Sequence, residues 1–191
     1  MKELRIAEIR ANEPSAEDHG SLIIQGVPIV YDTPTEINDP SGTYIEIIKR
    51  GALEGADLSD SRLLYNHDTN RVPLARTPKT MKFEVTEKGL EMRAELPDTE
   101  EARAIHTAVR RGDLSGMSFA FTVPKGGDSY DPKTNTRTIR QIAKVYEVSI
   151  CPFPAYPTTS VEARNARQEG INRLEAINNA RILCNKIMMK G

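Results

Sequence analysis

The feature that most constrains the fold is a change in hydrophobic period between residues 81 and 123. Apolar residues first alternate with polar ones in two short segments: Met81, Phe83 and Val85, then Leu90, Met92, Ala94 and Leu96. Alternation of this kind indicates half-buried strands. The intervening TEKG is typical of a turn, with Gly89 able to adopt a positive φ. The two segments are therefore predicted to form a β-hairpin.

The period changes to a helical one after Pro97. Apolar side chains recur at Ala102, Ile105, Ala108 and Val109. Asp98 and Glu101 have the spacing of a capping box, although its usual first residue is Ser or Thr, and Gly112 is a typical C-terminal stop. This segment is the helix that the sequence predicts most firmly.

Two further strands carry polar side chains on one face only. In GMSFAFTV, Met117, Phe119, Phe121 and Val123 lie on one face, opposite Ser118, Ala120 and Thr122. In QIAKVYEVSI, Ile142, Tyr146, Val148 and Ile150 lie opposite Glu147 and Ser149. Both strands therefore combine a packed face with a face that can present polar groups.

The remaining segments suggest an α+β domain built on an antiparallel sheet or barrel. SLIIQGVPIVYD predicts a strand with a bulge or an edge position at Gly26 and Pro28. The polar stretches TPTEINDPSGT and KGGDSYDPKTNTR are predicted to be a loop and a long turn. From Val161 onward helix formers dominate, with a narrow apolar stripe, which indicates a helical tail.

Composition excludes several classes of protein. The 191 residues carry 26 Lys+Arg and 27 Asp+Glu, a net charge of −1, which argues against a general nucleic-acid binder. No segment approaches 18 consecutive apolar residues, and the N-terminal residues lack the apolar core of a signal peptide. Cys151 and Cys184 have no zinc-binding spacing. We therefore expect a soluble, reduced, intracellular protein with no metal and no cofactor.

Three residues could carry chemistry, and each also has an ordinary structural interpretation. His67 ends an apolar strand, where it could act as a general base or simply lie at the surface. Ser118 could be a nucleophile if a base lies nearby, or an ordinary small strand residue. Glu147 interrupts a β-branched run, where it could orient a histidine or face outward. None of the three is specific alone.

Five segments taken in order resemble the prohead (procapsid maturation) protease family of tailed bacteriophages. They lie within residues 20–163 and read YIEIIKRGAL, LLYNHDTNRVPLART, KGLEMRAELPDTEEAR, VRRGDLSGMSFAFTV and YEVSICPFPAYPTTSVEAR. The NHD strand end, the GMSFAF strand and the EVS…PFPAYP close are the most diagnostic. The family resembles the herpesvirus maturation proteases in fold, which implies a β-barrel flanked by helices, here with a C-terminal helical tail.

The resemblance implies site residues for a serine endopeptidase. His67 resembles the catalytic histidine, Ser118 the nucleophile of the glycine–apolar–serine strand, and Glu147 the acid before the Val-Ser pair. Asp68 and Asp113 remain rivals for the third position. Ser115 is an alternative nucleophile. The candidate oxyanion donors are the backbone N–H groups near Ser118 and the guanidinium of Arg71 or Arg76. Two other hypotheses stay open: a cysteine peptidase that uses Cys151, and a non-catalytic capsid or scaffold-interaction module.

The resemblance also implies partners and a place of action. The expected substrates are the scaffolding segment of the major capsid protein and the protease's own chain, cleaved inside the phage procapsid in the host cytoplasm. A homodimer is a candidate assembly by analogy with the herpesvirus enzymes, whereas nucleic acid and membrane are not expected partners. The expected division is a protease domain over residues 1–164 and a helical tail over residues 165–191.

Overall fold

A computed structural model describes residues 3–10, 21–39 and 42–152 of the chain, which form twelve strands and one helix. The helical tail expected at residues 165–191 lies outside these residues. The helix is α1 (Glu100–Arg111). The strands are β1 (Glu3–Arg10), β2 (Leu22–Val30), β3 (Thr35–Asp39), β4 (Gly42–Ile48), β5 (Arg62–Tyr65), β6 (Ala75–Arg76), β7 (Met81–Val85), β8 (Gly89–Leu96), β9 (Gly116–Thr122), β10 (Asp128–Asp131), β11 (Thr136–Ile139) and β12 (Lys144–Cys151).

The described strands form two sheets with mixed pairing. The larger has eight strands in the order β6-β5-β12-β9-β1-β2-β8-β7, and the smaller has four in the order β10-β11-β4-β3. The prediction of a purely antiparallel sheet is wrong for two pairs, because β12 pairs with β5 and β11 with β4 in parallel. These partners are far apart in the sequence, so a local pattern carries no signal for them. The main core includes Met117, Phe119 and Phe121 of β9 with Val148 and Ile150 of β12.

The larger sheet is not a closed barrel in the described part of the chain. Its two edge strands, β6 and β7, are separated by only four residues. A hydrogen bond from Thr80 N–H to the Arg76 carbonyl (3.0 Å) tightens this connection. The edges therefore lie close together, although no ladder joins them. The predicted barrel and flanking helices are not confirmed, whereas a mainly β domain with one internal helix is observed.

Two sequence signals in β2 and in the β7–β8 hairpin correspond to local geometry. The register of β2 against β8 shifts between Gly26 and Ile29, which is the predicted bulge, although β2 lies inside the sheet and not at an edge. Gly89 has φ 151°, and a Cβ there would lie 1.9 Å from the Ile29 carbonyl oxygen. Gly89 is therefore required by close backbone packing as well as by its φ.

Helix α1 forms where the sequence predicts it, with a different N-cap. Thr99 is the N-cap, and its hydroxyl accepts a hydrogen bond from the Ala102 N–H at 3.3 Å. Asp98 lies one residue too early for the predicted capping box and pairs with Arg103. Gly112 ends the helix in the left-handed region at φ 82°, as predicted. In the part of the chain that is described, no helix has the length and apolar character needed to span a membrane.

The smaller sheet is built largely from segments predicted to be irregular. The predicted loop contains β3, which pairs with β4, and the predicted turn contains β10 and the first half of β11, which form a hairpin. Both were expected to be irregular because they are rich in Pro, Gly, Asn and Asp. The β-branched strand β4 supplies the tertiary contact that stabilises both segments, because it pairs in parallel with β11 and antiparallel with β3.

A buried ion cluster connects three strands of this smaller sheet. Arg137 of β11 lies opposite Glu46 of β4 in the register and has no exposed surface. Its guanidinium lies 2.9 Å from Glu46 Oε2 and 2.7 Å from Asp128 Oδ2 of β10. Two carboxylates therefore share one buried cation, and loss of that cation would leave negative charge in a dry site.

We predict that Arg137→Ala lowers the free energy of unfolding by about 3–5 kcal/mol, because it leaves the buried Glu46 and the partly buried Asp128 without their shared cation. Arg140→Ala is the matched control: Arg140 is exposed, follows the same strand and donates to Ser129 Oγ (2.7 Å). That control should change stability by no more than about 0.5 kcal/mol. Urea unfolding followed by circular dichroism measures both, and equal losses would contradict the proposed importance of the cluster.

Candidate active site

The candidate site is organised by β12, which is paired on both sides. Ser149 of β12 lies opposite Ser118 of antiparallel β9, and Glu147 lies opposite Ala120. Ser149 is also aligned with Leu64 of parallel β5. Cross-strand partners in an antiparallel pair share one face, with Cβ atoms about 4.5–5.5 Å apart. The sheet therefore places Glu147, Ser149 and Ser118 on one face.

His67 reaches this face from a tight turn after β5. Asn66 and His67 have φ 51° and 59°, and the Asp68 N–H donates to the Tyr65 carbonyl at 3.1 Å. Two central residues with positive φ are the signature of a type I′ turn, which reverses the chain sharply. The Asn66 N–H also donates to the Ile150 carbonyl at 2.9 Å. The turn is thus anchored to β12, and the His67 side chain lies back over that strand.

Three hydrogen bonds connect His67, Glu147 and Ser149. His67 Nδ1 lies 2.7 Å from Glu147 Oε1, and the Ser149 hydroxyl donates to Glu147 Oε2 at 2.6 Å. Ser149 Oγ also accepts from the His67 backbone N–H at 3.2 Å. A carboxylate only accepts hydrogen bonds, so it favours the tautomer with the proton on Nδ1. Nε2 of a neutral His67 then carries the lone pair that can accept a proton.

Ser118 lies on the same face but is not hydrogen-bonded to His67. It is only 2% exposed, so its strand face is covered and is not the solvent face of the ordinary structural interpretation. No hydrogen bond joins Ser118 and His67 in the described residues, whereas Ser149, its cross-strand partner, binds the histidine backbone. Catalytic hydrogen bonds are often long without substrate and tighten when it binds. The arrangement is compatible with a Ser–His–Glu site.

The rival acids have other partners in the structure. Asp68 accepts from the Asn70 N–H at 2.9 Å and pairs with Arg71 at 3.3 Å. Asp113 pairs with Arg111 at 3.1 Å and is largely exposed. Of these two acids and Glu147, only Glu147 contacts the His67 ring. The alternative nucleophile Ser115 is exposed and precedes β9.

The candidate oxyanion donors are also occupied. Arg71 Nη1 donates to Glu101 Oε1 of α1 at 2.6 Å, and Arg76 Nε donates to Asp60 Oδ1 at 2.7 Å. The pKa of Arg71 is raised, chiefly by its hydrogen bond to Glu101. Strand β9 is paired with β1 and β12, so the backbone groups around Ser118 lie within ladders. These contacts select none of the candidates as the oxyanion donor.

The Cys151 side chain contacts Nε2 of the His67 ring. Its Sγ lies 3.8 Å from Nε2, and the residue is 5% exposed. Burial, with a smaller effect from the Glu147 charge, raises the pKa of the Cys151 thiol to about 12. Because the thiolate is the nucleophilic form, this environment disfavours Cys151 as a nucleophile at neutral pH.

The sequence pattern placed Ser149 and Glu147 on one face but did not assign Ser149 a contact with the histidine. Alternation continues to Cys151, so the spacing 147, 149, 151 could have suggested three side chains on the same face. The contact of His67 with all three depends on the parallel β5–β12 pairing. No group of three or more His, Cys, Asp or Glu side chains in the described ranges is arranged to hold a metal ion.

Comparison with known proteins identifies the family to which the chain belongs. The model of the Caudovirus prohead serine protease family matches residues 6–173, and the chain belongs to that family. This membership confirms the resemblance seen in the five sequence segments.

The proteins similar to the chain include two phage proteases. The prohead protease of Enterobacteria phage HK97 is 29% identical over 138 residues, which cover 70% of this chain and 59% of that protein. The chain therefore spans less than two thirds of that relative's length. The solved structure of the bacteriophage T4 capsid assembly protease is similar at a TM-score of 0.46 and 12% identity, over 78% of this chain and 97% of that chain.

We predict that Cys151 resists alkylation in the folded protein. With a pKa of about 12, only about one thiol in 10⁴ is ionised at pH 8, against roughly a quarter for an ordinary cysteine. Iodoacetamide at pH 8, followed by peptide mass spectrometry, should modify Cys151 slowly in native protein and rapidly in urea. Equal rates in the two conditions would show that the thiol is accessible and ionised.

Proposed function

We propose that this chain is a serine endopeptidase of procapsid maturation, with Ser118 as nucleophile, His67 as general base and Glu147 as the orienting acid. The observation that carries the proposal is the 2.7 Å contact between His67 Nδ1 and Glu147 Oε1, beside the strand that bears Ser118. Membership of a serine protease family supports the same chemistry.

The proposed reaction is acyl transfer. Ser118 Oγ attacks the scissile carbonyl carbon while His67 Nε2 accepts the hydroxyl proton. Collapse of the tetrahedral intermediate breaks the C–N bond, and Nε2 returns the proton to the leaving amine. Water then attacks the acyl-enzyme through the same base, which releases the carboxylic acid and regenerates Ser118. Glu147 stabilises the imidazolium that forms in each half-reaction.

The proposed substrates follow from the family and not from the geometry. We infer cleavage of the scaffolding segment of the major capsid protein and of the chain itself, inside the procapsid in the host cytoplasm. The name of the similar HK97 protein, a prohead protease, supports a role in procapsid maturation. A homodimer and the division into residues 1–164 and 165–191 belong to the same proposal.

A cysteine peptidase is the second candidate, because Cys151 Sγ lies 3.8 Å from His67 Nε2. Its raised pKa argues against it. A thiol this close to the base could also be a packing residue that lines the site. Matched variants of the two candidate nucleophiles separate the hypotheses.

We predict that Ser118→Ala abolishes cleavage, since loss of a triad nucleophile lowers kcat by about 10⁶-fold in related chemistry. The full chain is incubated with the major capsid protein of the same phage, and fragments are measured by mass spectrometry. Cys151→Ala and Ser115→Ala serve as controls and should retain cleavage. If Ser118→Ala remained active and Cys151→Ala were inactive, the nucleophile would be Cys151.

We predict that Glu147→Gln lowers kcat on the order of 10³–10⁴-fold, because an amide can favour the wrong histidine tautomer. Asp68→Asn and Asp113→Asn are the matched controls, since both acids pair with arginines and not with His67. They should keep kcat within about threefold, because neither carboxylate contacts the His67 ring. A larger loss in either control than in Glu147→Gln would assign the third position to that acid.

A further inference from the structure

We propose that Ser149 is a positioning residue that fixes both Glu147 and the turn that carries His67. This inference rests on the proposed function, because it assigns Ser149 a part in the same reaction. Ser149 has no exposed surface, so its hydroxyl depends on protein partners. Its two hydrogen bonds go to the two residues that must be aligned.

The donor side of Ser149 holds the carboxylate. Its hydroxyl donates to Glu147 Oε2 at 2.6 Å, while Oε1 lies 2.7 Å from His67 Nδ1. Glu147 is itself buried, at 6% exposure, so each oxygen requires a donor. With one donor at each oxygen, the carboxylate plane is fixed. Without Ser149 the carboxylate could rotate away from the ring or recruit a water molecule.

The acceptor side of Ser149 holds the histidine backbone. Ser149 Oγ accepts from the His67 N–H at 3.2 Å, where His67 has φ 59°. A left-handed conformation is costly for a residue other than glycine and persists when its surroundings hold it. The hydroxyl therefore acts on both ends of the His67–Glu147 contact.

The position of Ser149 in the sheet connects this pair with the nucleophile. Ser149 is the cross-strand partner of Ser118, so the residue that aligns acid and base lies beside the proposed nucleophile. The spacing of two residues between Glu147 and Ser149 puts both on the same strand face. A small displacement here alters the geometry of all three groups, and a misplacement of about 1 Å can cost about 100-fold in rate.

Ser61 provides a matched control. It also has no exposed surface, precedes β5, and its hydroxyl donates to a group on β12, the Val145 carbonyl, at 2.6 Å. Loss of the Ser61 hydroxyl should therefore destabilise the fold in a similar way. It contacts neither His67 nor Glu147 through that hydroxyl, so it leaves their alignment unchanged.

The test compares steady-state kinetics of the full chain and its variants on a peptide that spans a mapped cleavage site. Ser149→Ala should lower kcat about 10- to 100-fold with KM within about threefold, because alignment and not substrate binding is lost. Ser149→Cys is nearly isosteric but has a weak hydrogen-bond donor, so it should show the same loss of kcat. It replaces the alanine variant in the test if Ser149→Ala does not fold. Ser61→Ala should keep kcat within about threefold.

Two further measurements separate positioning from general stability. In a Glu147→Gln background, Ser149→Ala should lower kcat by no more than about threefold, because groups that act as a unit are not additive. Proton NMR of the unliganded protein should show a downfield His67 Nδ1–H resonance that Ser149→Ala shifts or broadens and Ser61→Ala does not.

The outcomes distinguish this inference from the proposed function. Equal kcat losses in Ser149→Ala and Ser61→Ala, or full additivity with Glu147→Gln, would overturn the positioning role. Wild-type protein that does not cleave, or an active Ser118→Ala, would overturn the proposed function instead. The NMR comparison still applies in that case, and an unchanged Nδ1–H resonance in Ser149→Ala would contradict the positioning role by itself.

Discussion

The candidate site depends on the pairing of β12 with two strands of opposite direction. Antiparallel pairing with β9 places Ser118 opposite Ser149. Parallel pairing with β5 ends both strands at the same side of the sheet, where the turn at His67 reverses onto β12. Each pairing alone would bring together only part of the site. The two together assemble an acid, a base and a hydroxyl from segments about 50 and 30 residues apart.

A buried carboxylate is the costly element of this arrangement. Burial of a charge is unfavourable unless it is paired and hydrogen-bonded. Glu147 meets that requirement with His67 on one oxygen and Ser149 on the other. The same contacts that compensate its burial also orient the imidazole. The stability of the fold and the orientation of the His67 ring therefore depend on the same hydrogen bonds of Glu147.

Local sequence patterns predicted the elements that are stabilised by their own residues. Helix α1 has an apolar face and a C-terminal glycine, and the β7–β8 hairpin has clean alternation with Gly89 in the turn. The polar segments that become β3, β10 and β11 carried turn chemistry. Tertiary pairing makes them strands, because β3 and β11 pair with β4 and β10 pairs with β11. The expected β-barrel is not confirmed, for a related reason. Whether the edges β6 and β7 pair depends on sheet curvature, which alternation does not encode.

The site residues were proposed from the sequence, but the choice among them required tertiary contacts. Asp68 is the residue next to His67, whereas Glu147 is 80 residues away and makes the contact. The same reasoning applies to the nucleophile. A buried thiol beside His67 loses reactivity as its pKa rises, because it reacts through its anion. A serine hydroxyl is not ionised at neutral pH in either environment and reacts when a base removes its proton during attack. A dry face with one oriented histidine therefore favours Ser118 over Cys151 as the proposed nucleophile, even though Cys151 Sγ lies 3.8 Å from His67 Nε2.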